Sequence, residues 1–359
     1  MSNYIEYNDK IAVHPGYYIK EIIDDSGLTQ ADFAKRLGTT PKNLSILVRG
    51  EQSLSVDIAN KLSRMLGTSI TFWLNLQQAY DEMTAEFMCM QDLEKERETF
   101  SLIDYGYFRD YYGLPALPRK VDEQIEQVRR FLSVASLTVL EAQDLAVDFR
   151  SYKEKMSRSN IVNSNVMLQI AINETLKSDT SGFDKKKFEE CIDFALKQTK
   201  NHNGFLPAIK AEFEKAGVYL VVLPNIRNSG ISGATKRVNG RVMIFVNDRR
   251  HYEDTFWFTL FHEIGHVLNG ELGATSEKES EADNYARQML IPEEEYIDFV
   301  MSRDSFDEKC IRKFADSVDR DPGIVLGRLL IERRVPYSDT RLCNRLRHTF
   351  ELSNKLTIL

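Results

Sequence analysis

The chain has 359 residues, of which 42% are hydrophobic and nine are proline, so global disorder is excluded and there is material for two or three domains. The formal net charge of −7 does not decide on nucleic acid binding, because a local basic patch can bind DNA within an acidic chain.

The cysteines and the apolar runs indicate the cellular compartment in which the protein is expected. The four cysteines are far apart and form no CxxC pair, which argues against a disulfide framework and against a cysteine-ligated zinc site. The amino terminus, MSNYIEYNDK, has no signal-peptide pattern, and the longest apolar run, near GVYLVVLP, is far shorter than the roughly 20 residues that span a bilayer. We therefore expect a cytoplasmic protein without a membrane partner.

Residues 15–80 carry the start and stop signals of five short helices. Thr29 is placed to cap the second helix and Thr40 the third, with a tight turn at Gly38 and Pro41 at the first position of the third helix. Two short helices joined by a turn of about three residues are typical of the helix-turn-helix arrangement.

The third helix is the predicted DNA-reading element. Leu44 and Leu47 should face the core, so that Lys42, Asn43 and Ile46 face outward near the end of the helix that reads the major groove. The segment from Phe33 to Gly50 contains four basic residues and no acidic one. The residues expected to contact DNA are Gln30, Thr40, Lys42, Asn43, Ile46 and Arg49. The alternative is a helical bundle that has this spacing by chance.

The stretch from HPGYYIKEI through GLTQADFAKRLGTTPKNLSILVRG to ITFWLNLQQAYD resembles HigA-type antitoxins of the XRE helix-turn-helix class. The resemblance covers roughly residues 10–85. It implies a domain that binds operator DNA as a homodimer and represses its own operon.

The middle of the chain is predicted to be a packed helical connector, with a ligand or partner surface as the alternative. Within it, residues 157–160 and 178–182 are predicted to form loops. At residue 217 the pattern changes, and GVYLVVLP, GISGATKRV and RVMIFVN predict a three-stranded sheet with a hairpin turn at Asn239-Gly240. After Pro292 the pattern is helical again.

The sequence HEIGH lies in an apolar helix, TLFHEIGHVL. Positions i and i+4 lie one above the other on a helix, so His262 and His266 can bind one zinc ion. Glu263 is offset by about 100° from His262, beside the open coordination position, where a general base can take a proton from an activated water. The alternative is a buried helix with two histidines by chance, which is disfavoured because unpaired polar groups in an apolar helix are costly.

A catalytic zinc ion needs a third protein ligand, and SEKESEADNYARQMLIP predicts a second buried helix that can supply it. Glu279 shares a face with Ala282 and Ala286, whose small side chains would let the two helices approach closely. We therefore assign Glu279 as the third ligand and expect Asp283 to hydrogen-bond a ligand histidine. The alternative is that both acids are solvated surface charges.

The run FTLFHEIGH, followed by ESEAD and YARQMLIP, resembles the ImmA/IrrE (M78-like) family of zinc metallopeptidases over roughly residues 205–300. The resemblance assigns four residues to one zinc centre, the ligands His262, His266 and Glu279 and the base Glu263. This chain has Tyr285 where phenylalanine is usual, and because Ser280 and Glu281 fill variable positions, Glu281 stays open as the third ligand.

Zinc peptidases with this helix geometry usually hold their substrate extended along an exposed strand edge. The segment GISGATKRV is the predicted edge, since its glycines allow close approach and Lys236 and Arg237 favour an acidic region of the substrate. An ordinary hairpin strand is the alternative.

Together these features predict a mainly α fold with a small β-sheet (α+β). The predicted segments are a five-helix helix-turn-helix domain at 1–85, a helical connector at 86–204, a zincin-like metallopeptidase core at 205–300 and C-terminal helices at 301–359. The predicted function is a DNA-binding regulator with Zn²⁺-dependent endopeptidase activity on a repressor or antitoxin. The main alternative is a repressor or antitoxin whose zinc domain senses a signal or binds a partner, and a third is self-cleavage between residues 150 and 205.

Overall fold

A computed structural model describes residues 4–7, 10–142, 156–178, 182–270, 276–350 and 352, with the backbone alone of 276–278. The chain forms two compact units, Met1–Lys95 and Glu96–Leu359, which are described separately. The described residues contain sixteen α-helices and two small sheets, so the predicted fold class is confirmed. The finer division at residues 85, 204 and 300 stays a prediction.

The first unit begins with an antiparallel hairpin of β1 (Tyr4–Tyr7) and β2 (Lys10–Val13). The sequence analysis did not predict this hairpin, because each strand has four residues and no strong turn dipeptide lies between them. The helices that follow are α1 (Pro15–Ser26), α2 (Gln30–Leu37), α3 (Pro41–Val48), α4 (Val56–Leu66) and α5 (Ile70–Phe100).

The predicted starts of α2 and α3 are confirmed, whereas the fifth helix, predicted to be short and to end near residue 80, continues to Phe100. The Thr29 hydroxyl caps α2 by accepting from the Asp32 amide, and Thr40 caps α3 by accepting from the Asn43 amide. Gly38 ends α2 with a φ of 69°, a left-handed conformation that glycine adopts without strain. The core of the unit contains the buried side chains of Ile19, Phe33, Leu44, Leu47, Leu62 and Trp73.

The described part of the second unit has five α-helices before its sheet. They are α6 (Tyr105–Tyr112), α7 (Val121–Leu132), α8 (Arg158–Leu176), α9 (Lys185–Lys197) and α10 (Phe205–Lys215). The loop predicted at residues 157–160 is wrong, because Ser157 and Asn160 form a capping box and α8 starts at Arg158. Most of the loop predicted at 178–182 lies outside the described residues.

Two of these helices contact the segment of chain at residues 224–230. The Ser164 hydroxyl on α8 accepts from the Gly230 amide at 3.0 Å, and the Tyr107 hydroxyl on α6 donates to the Pro224 carbonyl at 2.8 Å. The first contact is partly buried and the second is buried, and the helical connector at 86–204 stays a prediction.

The sheet has the three predicted strands, β3 (Val218–Leu223), β4 (Gly233–Val238) and β5 (Arg241–Asn247). The strand order is β3-β5-β4, with β3 parallel and β4 antiparallel to β5. Asn239 and Gly240 both have positive φ, as a tight hairpin turn between β4 and β5 requires. The predicted edge strand, β4, is therefore an outer strand of this sheet.

Among the described residues, six α-helices follow the sheet and complete the core. They are α11 (Glu253–Leu268), α12 (Ser276–Leu290), α13 (Glu293–Met301), α14 (Glu308–Ser317), α15 (Pro322–Ile331) and α16 (Thr340–Leu346). Trp257, Leu260 and Phe261 on α11 are fully buried against this layer and the sheet. Among the described helices, none combines the length and the apolar composition needed to cross a bilayer.

Candidate metal centre and candidate DNA interface

The candidate metal centre lies where α11 crosses α12. The apolar residues of α11 bury one side of the helix in the core, and Gly265 lets α12 approach so closely that a Cβ there would lie 3.2 Å from the Ala282 Cα. Ala282 and Ala286 are fully buried at this crossing, as the sequence analysis expected. The crossing therefore brings the HEIGH face of α11 against the acidic start of α12.

His262, His266 and Glu279 converge at this crossing. The Nε2 atoms of the two histidines are 3.1 Å apart, and the Glu279 carboxylate lies 3.3 Å from His262 Nε2 and 3.6 Å from His266 Nε2. Two imidazole nitrogens and one carboxylate oxygen are a donor set that catalytic zinc sites use. The residues present therefore fit a zinc ion.

Asp283 holds His262 from its other side. Its carboxylate accepts a hydrogen bond from His262 Nδ1 at 2.9 Å, which turns Nε2 towards Glu279. Burial lowers the pKa of His262, but the hydrogen bonds to Asp283 and Glu279 outweigh it and raise the pKa to about 10. Glu281, the alternative ligand, is exposed on α12.

Glu263 is buried on the face of α11 that meets the sheet. The Thr235 hydroxyl on β4 donates to its carboxylate at 2.7 Å, and a Cβ at Gly233 would come within 2.6 Å of the same carboxylate. Positions 233 and 235 lie on one face of β4, because side chains alternate along a strand. Burial raises the pKa of Glu263 to about 7, although His262 and the Thr235 hydrogen bond oppose this shift.

Sequence reasoning missed the roles of Thr235 and Gly233. It assigned the glycines of GISGATKRV to close approach of a substrate, whereas Gly233 makes room for the carboxylate of Glu263. The available signal was that Gly233 and Thr235 are two positions apart and so share one face of a strand. The sequence does not show that this face packs against α11, because that contact is part of the tertiary structure.

The predicted DNA-contacting residues lie around α2 and α3. Thr40, Lys42 and Arg49 are exposed, whereas Gln30, Asn43 and Ile46 are half-buried. Leu44 and Leu47 are buried, as expected for the core-facing side of a recognition helix.

Two of these side chains have partners that the sequence did not predict. The Arg49 guanidinium pairs with the Glu51 carboxylate at 2.9 Å, and the Asn43 side-chain amide donates to the Thr39 hydroxyl at 3.1 Å. A phosphate at Arg49 would therefore compete with Glu51, which lies one residue beyond the acid-free segment that the sequence analysis considered.

Two protein families match separate parts of the chain. The helix-turn-helix family matches residues 19–73, and the IrrE N-terminal-like domain family, peptidase M78, matches residues 214–318. The first range contains α2 and α3, and the second contains the three strands, α11 and α12.

Curated relatives are similar over about a fifth of the chain. Virulence-associated protein I of Dichelobacter nodosus is 35% identical over 80 residues, which are 22% of this chain and 74% of that protein. The uncharacterised HTH-type transcriptional regulator YddM of Escherichia coli strain K12 is 37% identical over 79 residues, which are 21% of this chain and 84% of that protein.

Solved structures are similar over the same fraction. An addiction module antidote protein of a HigA family from Coxiella burnetii is 30% identical, with a TM-score of 0.22, and the match covers 23% of this chain and 92% of that one. A Pseudomonas aeruginosa protein in complex with its operator DNA is 31% identical, with a TM-score of 0.20, and the match covers 21% of this chain and 82% of that one.

Proposed function

Since the chain belongs to the helix-turn-helix regulators and also carries an IrrE/ImmA-like peptidase M78 domain, we propose that it is a DNA-binding regulator that cleaves a protein. The cleavage is zinc-dependent hydrolysis of a peptide bond in a repressor or antitoxin. The cytoplasmic location stays a prediction from the sequence.

The observation that carries the proposal is the combination of a three-ligand set with an adjacent buried carboxylate. His262, His266 and Glu279 are the proposed zinc ligands, and Glu263 is the proposed general base. Zinc bound in such a site supplies Lewis-acid chemistry, because it polarises a carbonyl and makes water more acidic. A purely structural zinc site gains from a fourth protein ligand and needs no base.

The chain's own residues position the reacting groups. Asp283 fixes the ring orientation of His262, and Thr235 fixes the carboxylate of Glu263 by a hydrogen bond of 2.7 Å. The base takes a proton from water and later passes it to the leaving amine, which requires a carboxylate held in one orientation.

The substrate is proposed to lie extended along β4. Because β4 is an outer strand of the sheet, a substrate can add to it by main-chain hydrogen bonds, and Thr235 on β4 contacts the proposed base. Arg237 is exposed and Lys236 half-buried, which supports a preference for an acidic region of the substrate.

The amino-terminal unit is proposed to bind operator DNA, as a homodimer, through α2 and α3. Lys42 and Thr40 are exposed at the amino-terminal end of α3, which supports their contact with the major groove and its phosphates. Covalent linkage of a DNA-binding unit to a peptidase concentrates the enzyme near DNA-bound repressors without a new contact at the active site.

The proposal is tested with the purified zinc-loaded chain and the XRE-type repressor encoded nearest to its gene. Fragments of the repressor should appear with the unsubstituted chain and with the matched surface variant Glu281→Gln, and not with Glu263→Gln. Mass spectrometry of the fragments identifies the cleaved bond.

The other outcomes separate the alternatives. Fragments of the chain itself that disappear in Glu263→Gln indicate self-cleavage, although α8 and α9 occupy much of the stretch between residues 150 and 205 in which that cleavage was expected. Operator binding with no cleavage of either protein favours a repressor or antitoxin whose zinc domain senses a signal or binds a partner.

A further inference from the structure

His202, Asp321 and His348 bring three metal-binding side chains together in the second unit, away from HEIGH. Asp321 Oδ2 lies 3.5 Å from His202 Nε2 and 3.9 Å from His348 Nε2, and the three ligand atoms all lie within 4.8 Å of one another. Ligand atoms that surround a tetrahedral zinc ion at about 2.0–2.2 Å are about 3.4 Å apart. We propose that these three residues form a second zinc site.

Glu253 orients one of the proposed ligands. Its carboxylate accepts from His202 Nδ1 at 2.6 Å, so that Nε2 faces Asp321. Asp283 holds His262 in the same way at the HEIGH site. A carboxylate on the second nitrogen of a ligand histidine is the usual outer partner in metal sites, because it fixes the tautomer and raises the basicity of the ligand.

The two oxygens of Asp321 have separate tasks. Oδ1 accepts from the Gly323 amide at 2.7 Å and caps α15, which fixes the carboxylate. Oδ2 is then the oxygen that faces both imidazoles. The carboxylate is held in place by the fold before any ion binds.

The charge balance favours an ion over two protonated histidines. Glu253 and Asp321 are 5% and 6% exposed, and buried carboxylates are costly unless a positive partner balances them. The rings of His202 and His348 stack with centroids 3.6 Å apart, so protonating both would place like charges side by side. One divalent cation balances both carboxylates while both imidazoles stay neutral, which is the form that binds metals.

The donor atoms indicate which metal ion fits the second site, and the positions of the ligands in the chain show which segments the ion would link. Two imidazole nitrogens with one carboxylate oxygen suit zinc, and the partial exposure of His348 leaves room for water as a further ligand. Glu253 precedes His262 by nine residues, or about 14 Å along the helix axis, so the two sites are separate. The ion would connect the segment before α10, the start of α15 and the segment after α16.

The test is zinc stoichiometry in the full chain, measured by elemental analysis after dialysis against zinc alone. We expect two equivalents in the unsubstituted chain, one in His348→Ala, one in His262→Ala and none in the double variant. His251→Asn is the matched control and should keep two, since His251 is exposed and asparagine tolerates its φ of 54°. One equivalent in both the unsubstituted chain and His348→Ala would overturn the second site.

Thermal unfolding provides an independent measurement if stoichiometry is affected by folding. In the His262→Ala background, zinc at a hundredfold excess over its dissociation constant should raise Tm by roughly 5 °C or more. The further substitution His348→Ala should abolish that rise, and a rise that persists would overturn the proposal. These measurements do not depend on peptidase activity. The proposed function and the second zinc site can therefore be contradicted independently of each other.

Discussion

The carboxylate of Glu263 fits against β4 because position 233 has no side chain. Thr235, two residues along the same face, supplies the hydrogen bond, so one strand gives both the space and the orientation. The identities of His262, Glu263 and His266 could be read from the spacing of HEIGH. Their partners on β4 could not, because the sequence does not state which strand faces α11.

Gly233→Ala should reduce hydrolysis strongly while the zinc content stays unchanged. A Cβ at this position would lie 2.6 Å from the Glu263 carboxylate and 2.8 Å from the Thr259 methyl, so the base must move. A misplaced catalytic group costs on the order of 100-fold in rate. Turnover of the cleaved repressor measures the effect, with Gly182→Ala as control, since a Cβ there would meet the Gly240 carbonyl oxygen at an ordinary 3.7 Å. Unchanged turnover in Gly233→Ala would contradict this placement of the base.

Glu279→Ala should hold one equivalent of zinc less than the unsubstituted chain, and Glu281→Ala should hold the same amount. Glu279 lies 3.3 and 3.6 Å from the two histidines, whereas Glu281 is exposed on the same helix. Elemental analysis of this matched pair decides between them. Loss of zinc in Glu281→Ala with full retention in Glu279→Ala would show that the other carboxylate is the ligand.

At the scale of elements, the metal centre depends on how closely two helices cross. The spacing of apolar residues predicted both α11 and α12, and the small residues Ala282 and Ala286 predicted their close contact. The parallel pairing of β3 with β5 and the hairpin of β1 and β2 were not predicted, because strand partners are tertiary. The error at residues 157–160 has a local cause, since Ser157 and Asn160 favour a helix cap as readily as a loop.

Gly265→Ala should weaken zinc binding at the HEIGH site by on the order of tenfold, an effect comparable to the loss of an outer partner of a ligand. The added Cβ would lie 3.2 Å from both the Ala282 Cα and the Tyr285 ring, so α12 must shift by a few tenths of an ångström and carry Glu279 with it. The substitution should at the same time stabilise α11 itself, because alanine is favoured over glycine within a helix by about 1 kcal/mol.

Competition with a chelator measures the zinc affinity of the HEIGH site in Gly265→Ala. The zinc bound at that site is identified as the equivalent that is missing from His262→Ala. The thermal stability of Gly265→Ala should stay close to that of the unsubstituted chain, which separates a displaced ligand from a destabilised unit. Unchanged zinc affinity would contradict this prediction, because it would mean that the crossing accepts the added Cβ without moving Glu279.

At the scale of the whole molecule, the two proposed functions fall in separate compact units. The proposed zinc ligands of the HEIGH site all follow residue 260, and the proposed DNA contacts all precede residue 50. Covalent linkage is therefore enough to explain why one chain carries both. The sequence predicts both functions, because each depends on a short local motif, but it does not name the protein substrate.

Combined replacement of Lys42, Asn43 and Arg49 by alanine should abolish operator binding and flatten its salt dependence, since fewer counterions are released. Zinc content and hydrolysis of a free substrate should be unchanged, whereas cleavage of an operator-bound substrate should slow through lost proximity. A charge-matched control, Lys186→Ala with Lys187→Ala, removes two exposed cations from the second unit.

Operator binding and proteolysis are measured on the same preparations. Undiminished DNA binding in the triple variant would contradict the assignment of α3 as the reading helix. Loss of both activities in a protein that still folds would show that the units are coupled rather than only tethered.

The first turn of α11 is completed by residues that come much later in the chain. The Glu253 amide donates to the His348 carbonyl, the Phe350 amide donates to the His251 carbonyl, and Arg347 forms a bidentate pair with Asp254 across 93 positions. A ribosome that adds about 5–20 residues per second needs roughly 5–19 seconds to deliver these partners after α11 has begun. The first unit closes with contacts inside its own 95 residues and leaves the ribosome earlier. During each round of synthesis the chain should thus be able to hold an operator before it can cut a protein.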